Sequence, residues 1–172
     1  NAEKLYTTLY QAGKSFSLQN VGLHAVNSLR LEKGFRHWGH DIGSHDNLLE
    51  AGLNFVADMT SGDFIGYQAL MTQRSKGVPE RRLVQFRLEN PDPLLYHNEP
   101  IVMNGEIVGY LTSGAFAHAV GSSIGMGYVN VPLLSNEIIS TAEFEIEIAL
   151  ERFSAQASLR GWYDPKGLKM RQ

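Results

Sequence analysis

An α+β fold in two parts is predicted, a mainly helical segment followed by an antiparallel β segment. Three observations carry this. Up to Gly77 apolar residues recur at helical spacing between glycine stops; from Arg81 they recur at every second position; and Asn104-Gly105 stands between two apolar runs, a strong type I′ hairpin signal. The first lobe is expected at 1–78 and the β domain at 79–172, with the boundary in Lys76 to Glu80.

The elements follow in order. Ala2 to Ala12 places Leu5, Leu9 and Ala12 on one helical face and stops at Gly13, where glycine tolerates left-handed geometry. The amphipathic pattern already runs at Ala2 and the first residue is Asn1, so the chain reads as the continuation of something longer. Val21 to Lys33 is a second helix ended by Gly34. Leu53 to Met59 reads as a short strand, and Asp63 as the cap of a third helix from Phe64 to about Arg74. RLVQFRL then opens the strands. The segment Ser113 to Val129, with four glycines and His118, reads as a loop before a strand. Near the end FEIEIAL, with Phe144, Ile146, Ile148 and Leu150 on one face, and the following alternation from Phe153 to Leu159 form a hairpin turning near Glu151 and Arg152. Several short antiparallel strands of this kind suggest a small barrel or sandwich.

Bulk properties exclude several functions. The 15 basic and 18 acidic residues give a net charge of −3, unlike the basic face that nucleic-acid binding requires. There is no cysteine, which removes disulfides, thiolate metal sites and cysteine nucleophiles and fits a reducing compartment, the cytoplasm by default. No apolar run is long enough to span a membrane. The glycines of Ser113–Val129 do not form GxGxxG, and GxxxxGK[ST] and G-x-S-x-G are absent, so no dinucleotide, ATP or serine-hydrolase signature is present.

Two constellations remain. His37, His40, Asp41, His45 and Asp46 lie close together, but the His37–His40 spacing is not that of a two-histidine helical metal site, and turn histidines explain it as well. No metal site is assigned. On the second helix His24, Ser28 and Glu32 stack at i, i+4 and i+8 as a polar stripe, while Ala25, Val26 and Leu29 form the apolar face expected to pack on the core. The stripe meets either water or a ligand. Glu32 stands near the helix C-terminus, where the dipole disfavours an acid, as a carboxylate kept for a partner with donors would.

Taken together, GLHAVNSLRLEKGFRHWGHDI, EAGLNFVAD, DFIGYQAL, RRLVQFRL, GEIVGYLTSGAF, IGMGYV and WYDPKG resemble, in order and spacing, the folate-binding aminomethyltransferase family, the glycine cleavage T-protein and its relatives. SLRLEKGFRHWGHDI is most similar to the C-terminal folate module of dimethylglycine and sarcosine dehydrogenases; where the T-protein typically has Ala-Arg-Asp, this chain has Ala25-Val26-Asn27. The resemblance implies the later part of a three-lobed fold ending in an antiparallel β-barrel. It implies tetrahydrofolate as the ligand, an iminium derived from an N-methyl amine as the one-carbon donor, and 5,10-methylenetetrahydrofolate as the product. It also implies that the catalytic aspartate lies in an earlier lobe outside these residues, that FAD would enter only through a preceding oxidoreductase domain, and that these residues alone would be inactive. Glu32 is the implied pterin contact, with His24 and Ser28 on its face, Arg30 and Lys33 supporting the loop or steering the glutamate tail, and Trp38 packing between lobes. A missing lobe would leave apolar surface exposed around the second helix.

Overall fold

The computed structural model describes residues 1–172 except Asp63, Leu133 and Gln172. Among the described residues six strands close into an antiparallel barrel in the spatial order β1-β4-β3-β2-β5-β6. They are β1 Arg82–Leu88, β2 Pro100–Met103, β3 Glu106–Ala117, β4 Ser122–Val129, β5 Phe144–Ile148 and β6 Glu151–Ser158. The β2–β3 turn has Asn104 at φ 51° and Gly105 at φ 91°, the left-handed pair that a type I′ hairpin requires. Val84, Phe86 and Leu88 of β1 fill the interior with Ile101, Leu111, Val129, Phe144 and Ile146. Alternate side chains of one strand thus meet a common core, as the period-two pattern demands.

The helices are α1 Ala2–Gly13, α2 Leu23–Glu32, α3 Tyr67–Ser75 and α4 Asn136–Thr141. Gly34, at φ 73°, ends α2 as anticipated. α2 lies on the outside of β3 and β4, and the face it turns inward is the reverse of the one expected. Leu31, Ser28 and Glu32 are buried, whereas Val26 and Leu29 are exposed. The barrel surface explains the inversion. It offers α2 the carbonyl of Phe116, which accepts from Ser28 Oγ at 2.6 Å, and the amide of Ala119, which donates to Glu32 Oε1 at 2.8 Å. Between these polar contacts Leu31 enters a second apolar cluster with Leu83, Ala117, Ile124, Met126 and Tyr128. Full burial of such a leucine contributes about 1.5–3 kcal/mol, so one residue anchors the helix while hydrogen bonds set its register. β4 is covered by the barrel core on one side and by this cluster on the other, and every one of its residues is buried.

Four further expectations are corrected. Leu53 to Met59 forms no strand; Asn54–Val56 is a short 3-10 turn with Phe55 and Val56 exposed. The closed barrel leaves no edge for it to pair with, and Asp58 turns the chain by accepting from the Thr60 amide at 2.9 Å. α3 begins at Tyr67, after Gly66; the expected cap, Asp63, lies outside the described residues. The supposed loop Ser113–Val129 is mostly strand, the end of β3 and all of β4. Gly121, at φ 75°, turns the chain between the two strands, but the other three glycines mark close approach: a Cβ on Gly127 would stand 2.5 Å from the Tyr110 carbonyl oxygen. The last hairpin turns at Ala149 and Leu150, with φ 50° and 70°, so Leu150 leaves the strand alternation and is exposed.

The apolar residues of α1 are exposed, as are Leu23, Val26 and Leu29 of α2. Leu23, Val26 and Leu29 thus put exposed apolar surface on the second helix itself.

Gly127→Ala forces a methyl group against backbone that cannot yield, and overpacking of this kind costs about 1–3 kcal/mol. The expected result is a correspondingly lowered urea midpoint at unchanged m-value, and an unaltered midpoint would show that β3 and β4 can part to admit the methyl.

Candidate functional site

Two neighbouring clefts open along α2, and β3 runs beneath both. The first, about 670 Å³, lies between Ser28, Leu29 and Glu32 of α2, the segment Leu94–Tyr96, and Ala115, Phe116 and His118. The second, about 440 Å³, begins at His24 and Asn27 and continues past Arg30 to Arg36, His37, His40 and His97. Both share His24, Asn27, Tyr96 and Gly114, so they meet at the N-terminal half of α2.

Glu32 is 2 % exposed. The only hydrogen bond its carboxylate makes among the described residues is the one from the Ala119 amide. It has no cationic partner there, because the neighbouring bases are engaged elsewhere. Arg30 forms a buried ion pair with Asp41, and Lys33 pairs with Asp164 at 3.1 Å. A carboxylate has about four lone-pair positions, and burying one this thinly satisfied is costly unless further donors arrive.

Arg30 is the hub of a network. Its Nη2 donates to Ser113 Oγ at 2.7 Å, and Nε donates to Asn27 Oδ1 at 2.9 Å. Asp41, whose side chain is fully buried, accepts from Arg30, from the His37 amide at 2.8 Å and from Thr112 Oγ1 at 2.6 Å. The turn FRHWGHD is thereby pinned to both α2 and β3. Burial pulls the Arg36 guanidinium below its ordinary value, and nearby Asp41 and Tyr128 oppose the shift.

Of the residues singled out from sequence, His24, Ser28 and Glu32 line the first cleft, and His24 and Arg30 line the second. Lys33 turns away from both. Its ammonium clasps the chain end at Asp164, next to the bond from the Tyr163 amide to the Glu32 carbonyl at 2.9 Å. Trp38 is exposed. Among the described residues no group of three or more potential metal ligands converges, although the His37 and His40 rings stack with centroids 4.6 Å apart. Sequence reasoning missed Asp41 as the partner of Arg30, the wall Leu94–Tyr96, and Arg36. An acid in a glycine-flanked turn close behind a helical arginine was the available signal for the first; nothing local announced the others.

With this geometry in hand, two family descriptions match the chain: "Glycine cleavage T-protein C-terminal barrel domain" over residues 81–164 and "GCVT N-terminal domain" over residues 1–61. The chain belongs to the glycine cleavage T-protein family. It is 38% identical over 171 residues to a protein of Paenarthrobacter nicotinovorans named 4-methylaminobutanoate oxidase (formaldehyde-forming), covering 99% of this chain and 20% of the relative. Over 171 residues it is 34% identical to human mitochondrial sarcosine dehydrogenase, covering 97% of this chain and 18% of the relative. The chain therefore spans about a fifth of the length of these relatives. In fold it is similar to the crystal structure of glycine cleavage system aminomethyltransferase T from Bartonella henselae, with a TM-score of 0.78 at 23% identity over 93% of this chain and 44% of the other. Among the described residues no helix is long and apolar enough to cross a membrane.

Asp41→Ala leaves Arg30 without its counter-ion in a buried setting, a change that costs about 3–5 kcal/mol; urea unfolding of the variant measures it, and a loss below 1 kcal/mol would show that Arg30 finds water instead. The clasp gives a pH-dependent counterpart. Burial raises the Asp164 carboxyl, but the Lys33 hydrogen bond and the amides of Leu168 and Lys169 outweigh it and hold the group below the usual carboxylate range. Its contribution is complete above about pH 3.9 and is lost as pH falls through the lowered folded value. Asp164→Asn should remove that acid-dependent component from the stability profile while leaving the profile near neutrality flat.

Proposed function

We propose that this chain is the later part of a tetrahydrofolate-dependent aminomethyltransferase module. The module would take a one-carbon unit from an N-methyl amine, in an oxidative demethylation of the dimethylglycine or sarcosine type, and yield 5,10-methylenetetrahydrofolate. The supporting observation is Glu32: a buried carboxylate without a cationic partner among the described residues, on the wall of a cleft that Leu29, Leu94, Leu95, Ala115 and Phe116 line together with His24, Asn27, Ser28 and His118. A pterin ring presents an amide N–H and an amino group side by side, and a carboxylate can accept both. With the Ala119 amide occupying one position on Oε1, free positions remain on both oxygens. Tetrahydrofolate bound there supplies the nucleophilic nitrogen that receives the one-carbon unit.

The chain's own residues would bind, orient and exclude water. Glu32 fixes the ring, and Ala119 fixes Glu32. Leu31 and the Ser28 hydroxyl hold the helix at the depth that puts the carboxylate in the cleft. Leu95 and Phe116 make that wall apolar, which strengthens each polar contact and places the reactants together. The names of the relatives, an N-methylamino acid oxidase and sarcosine dehydrogenase, support the amine class. Val26 and Asn27 in place of Arg-Asp favour this branch over the glycine cleavage T-protein itself. The division at 1–78 and 79–172, the catalytic aspartate in an earlier lobe, and a reducing compartment for this cysteine-free chain belong to the same proposal.

A second reading also has an observation behind it. Ser28, Arg30, Lys33 and Glu32 each have a protein partner, as they would in a module that only supports a larger oxidoreductase. Titrating the full-length protein with tetrahydrofolate separates the two, since the supporting module would bind none. In that titration Glu32→Ala should weaken binding by on the order of 1.5–3 kcal/mol, the scale of charge-assisted hydrogen bonds. Glu32→Gln, which can retain the Ala119 bond, should lose affinity while keeping wild-type stability; an unchanged dissociation constant in both variants would end the assignment.

A further inference from the structure

Glu32 is held at two points by groups remote from it in sequence, its carboxylate by the Ala119 amide and its carbonyl by the Tyr163 amide. The second contact sets it apart from its neighbours. The last carbonyls of a helix lack partners within it and are commonly closed by the amides that follow directly. In α2 this holds for Leu29, Arg30 and Leu31, which accept from Lys33, Phe35 and Gly34. The Glu32 carbonyl has no such local donor among the described residues, and the far end of the chain supplies one at 2.9 Å.

The segment that supplies it, residues 161–164, lies against the helix end at backbone contact. A Cβ on Gly161 would stand 2.6 Å from the Lys33 carbonyl oxygen and 2.9 Å from that of Glu32. Lys33 closes over the segment, its Nζ donating to the Asp164 carbonyl at 2.9 Å and to Asp164 Oδ2 at 3.1 Å. The two side chains are only 17% and 6% exposed. Asp164 is itself fixed, because its carboxylate also accepts from the amides of Leu168 and Lys169. An ion pair free in solvent holds no single geometry; this one is shielded, and the further donors on its acid confine it to one. Glu32 and Lys33 are adjacent, so what fixes the backbone of one fixes that of the other. The Glu32 carboxylate, with a single hydrogen bond of its own among the described residues, points where that backbone directs it.

We propose that residues 161–164 are a positioning strap for Glu32, locked by the Lys33–Asp164 pair, which sets the depth of the last turn of α2 and so aims the open carboxylate positions into the first cleft. The inference rests on the reading of that cleft as the pterin pocket. Neither Lys33 nor Asp164 lines either cleft, so both act through Glu32. Accepting an amide N–H and an amino group side by side tolerates little displacement, since both bonds must stay near linear together.

The test uses the full-length protein and two ligands, tetrahydrofolate and its 2-desamino analogue, which lacks the amino group that Glu32 would accept from. The readout is the ratio of their dissociation constants, which a strap that only stabilised the fold would leave unchanged. The wild type should prefer tetrahydrofolate. Lys33→Met and Asp164→Asn should each lower that preference about tenfold, a part of what charge-assisted hydrogen bonds contribute. Lys33→Arg, which can still donate to Asp164, should keep it. In a Glu32→Gln background neither clasp substitution should change the ratio further. Urea midpoints are measured alongside, and Lys33→Met, which leaves Asp164 its bonds from Leu168 and Lys169, carries the test if Asp164→Asn does not fold. A preference lost in Glu32→Gln but intact in the clasp variants, or one that the clasp substitutions lower equally in the Glu32→Gln background, would overturn the strap alone. A wild type that binds neither compound, or does not distinguish them, would overturn the pterin reading and the strap with it.

Discussion

The ion pair between Arg30 and Asp41 is the constraint on which the rest of this arrangement depends. It joins an α2 residue to the turn behind that helix, and through Ser113 and Thr112 it fastens both to β3. Isolated buried pairs often add little net stability, because desolvation offsets attraction. This pair has a different value. Each partner has several hydrogen bonds that can be satisfied together in only one relative position of helix, turn and strand. The depth of α2, the placement of Glu32 and the mouth of the second cleft follow from that position.

Most of the barrel was legible because a strand announces itself locally. RLVQFRL alternates, Asn104-Gly105 turns, and FEIEI pairs with the strand after it; each inference needed only neighbours in sequence. Ser113–Val129 was misread because glycines look the same in a loop and in a strand squeezed against a neighbouring backbone, and only one of its four, Gly121, turns the chain. The distinction lies in the Tyr110 carbonyl, which approaches Gly127 from another strand. Leu53–Met59 failed for the converse reason. Its residues suit a strand, but a strand needs an edge, and the closed sheet offers none.

The candidate site was legible in its residues and illegible in its direction. The stripe of His24, Ser28 and Glu32 is visible at helical spacing, and Glu32 was conspicuous for its place near the helix end. The usual rule turns polar faces outward, and here the rule inverts. A carbonyl at Phe116 and an amide at Ala119, almost ninety residues further along the chain, stand ready on the barrel wall, while the apolar residues of α2 remain outside. No pattern within the helix could report the presence of those two backbone groups. Arg36 was overlooked for a related reason, since an arginine near a helix end is unremarkable until its partners have been counted.

Closure of the sheet also bears on how such a domain is accommodated in a long polypeptide. Relatives run to about five times this length, and a nascent chain of that size keeps unfolded segments close to finished ones for as long as synthesis lasts. An open sheet would offer those segments a row of unpaired amides and carbonyls to recruit. In the ring from β1 through β6 and back, among the described residues, every strand has a hydrogen-bonded neighbour on each side. Its backbone is mute toward passing strands, and recognition is left to side chains and to the helix that lies across it.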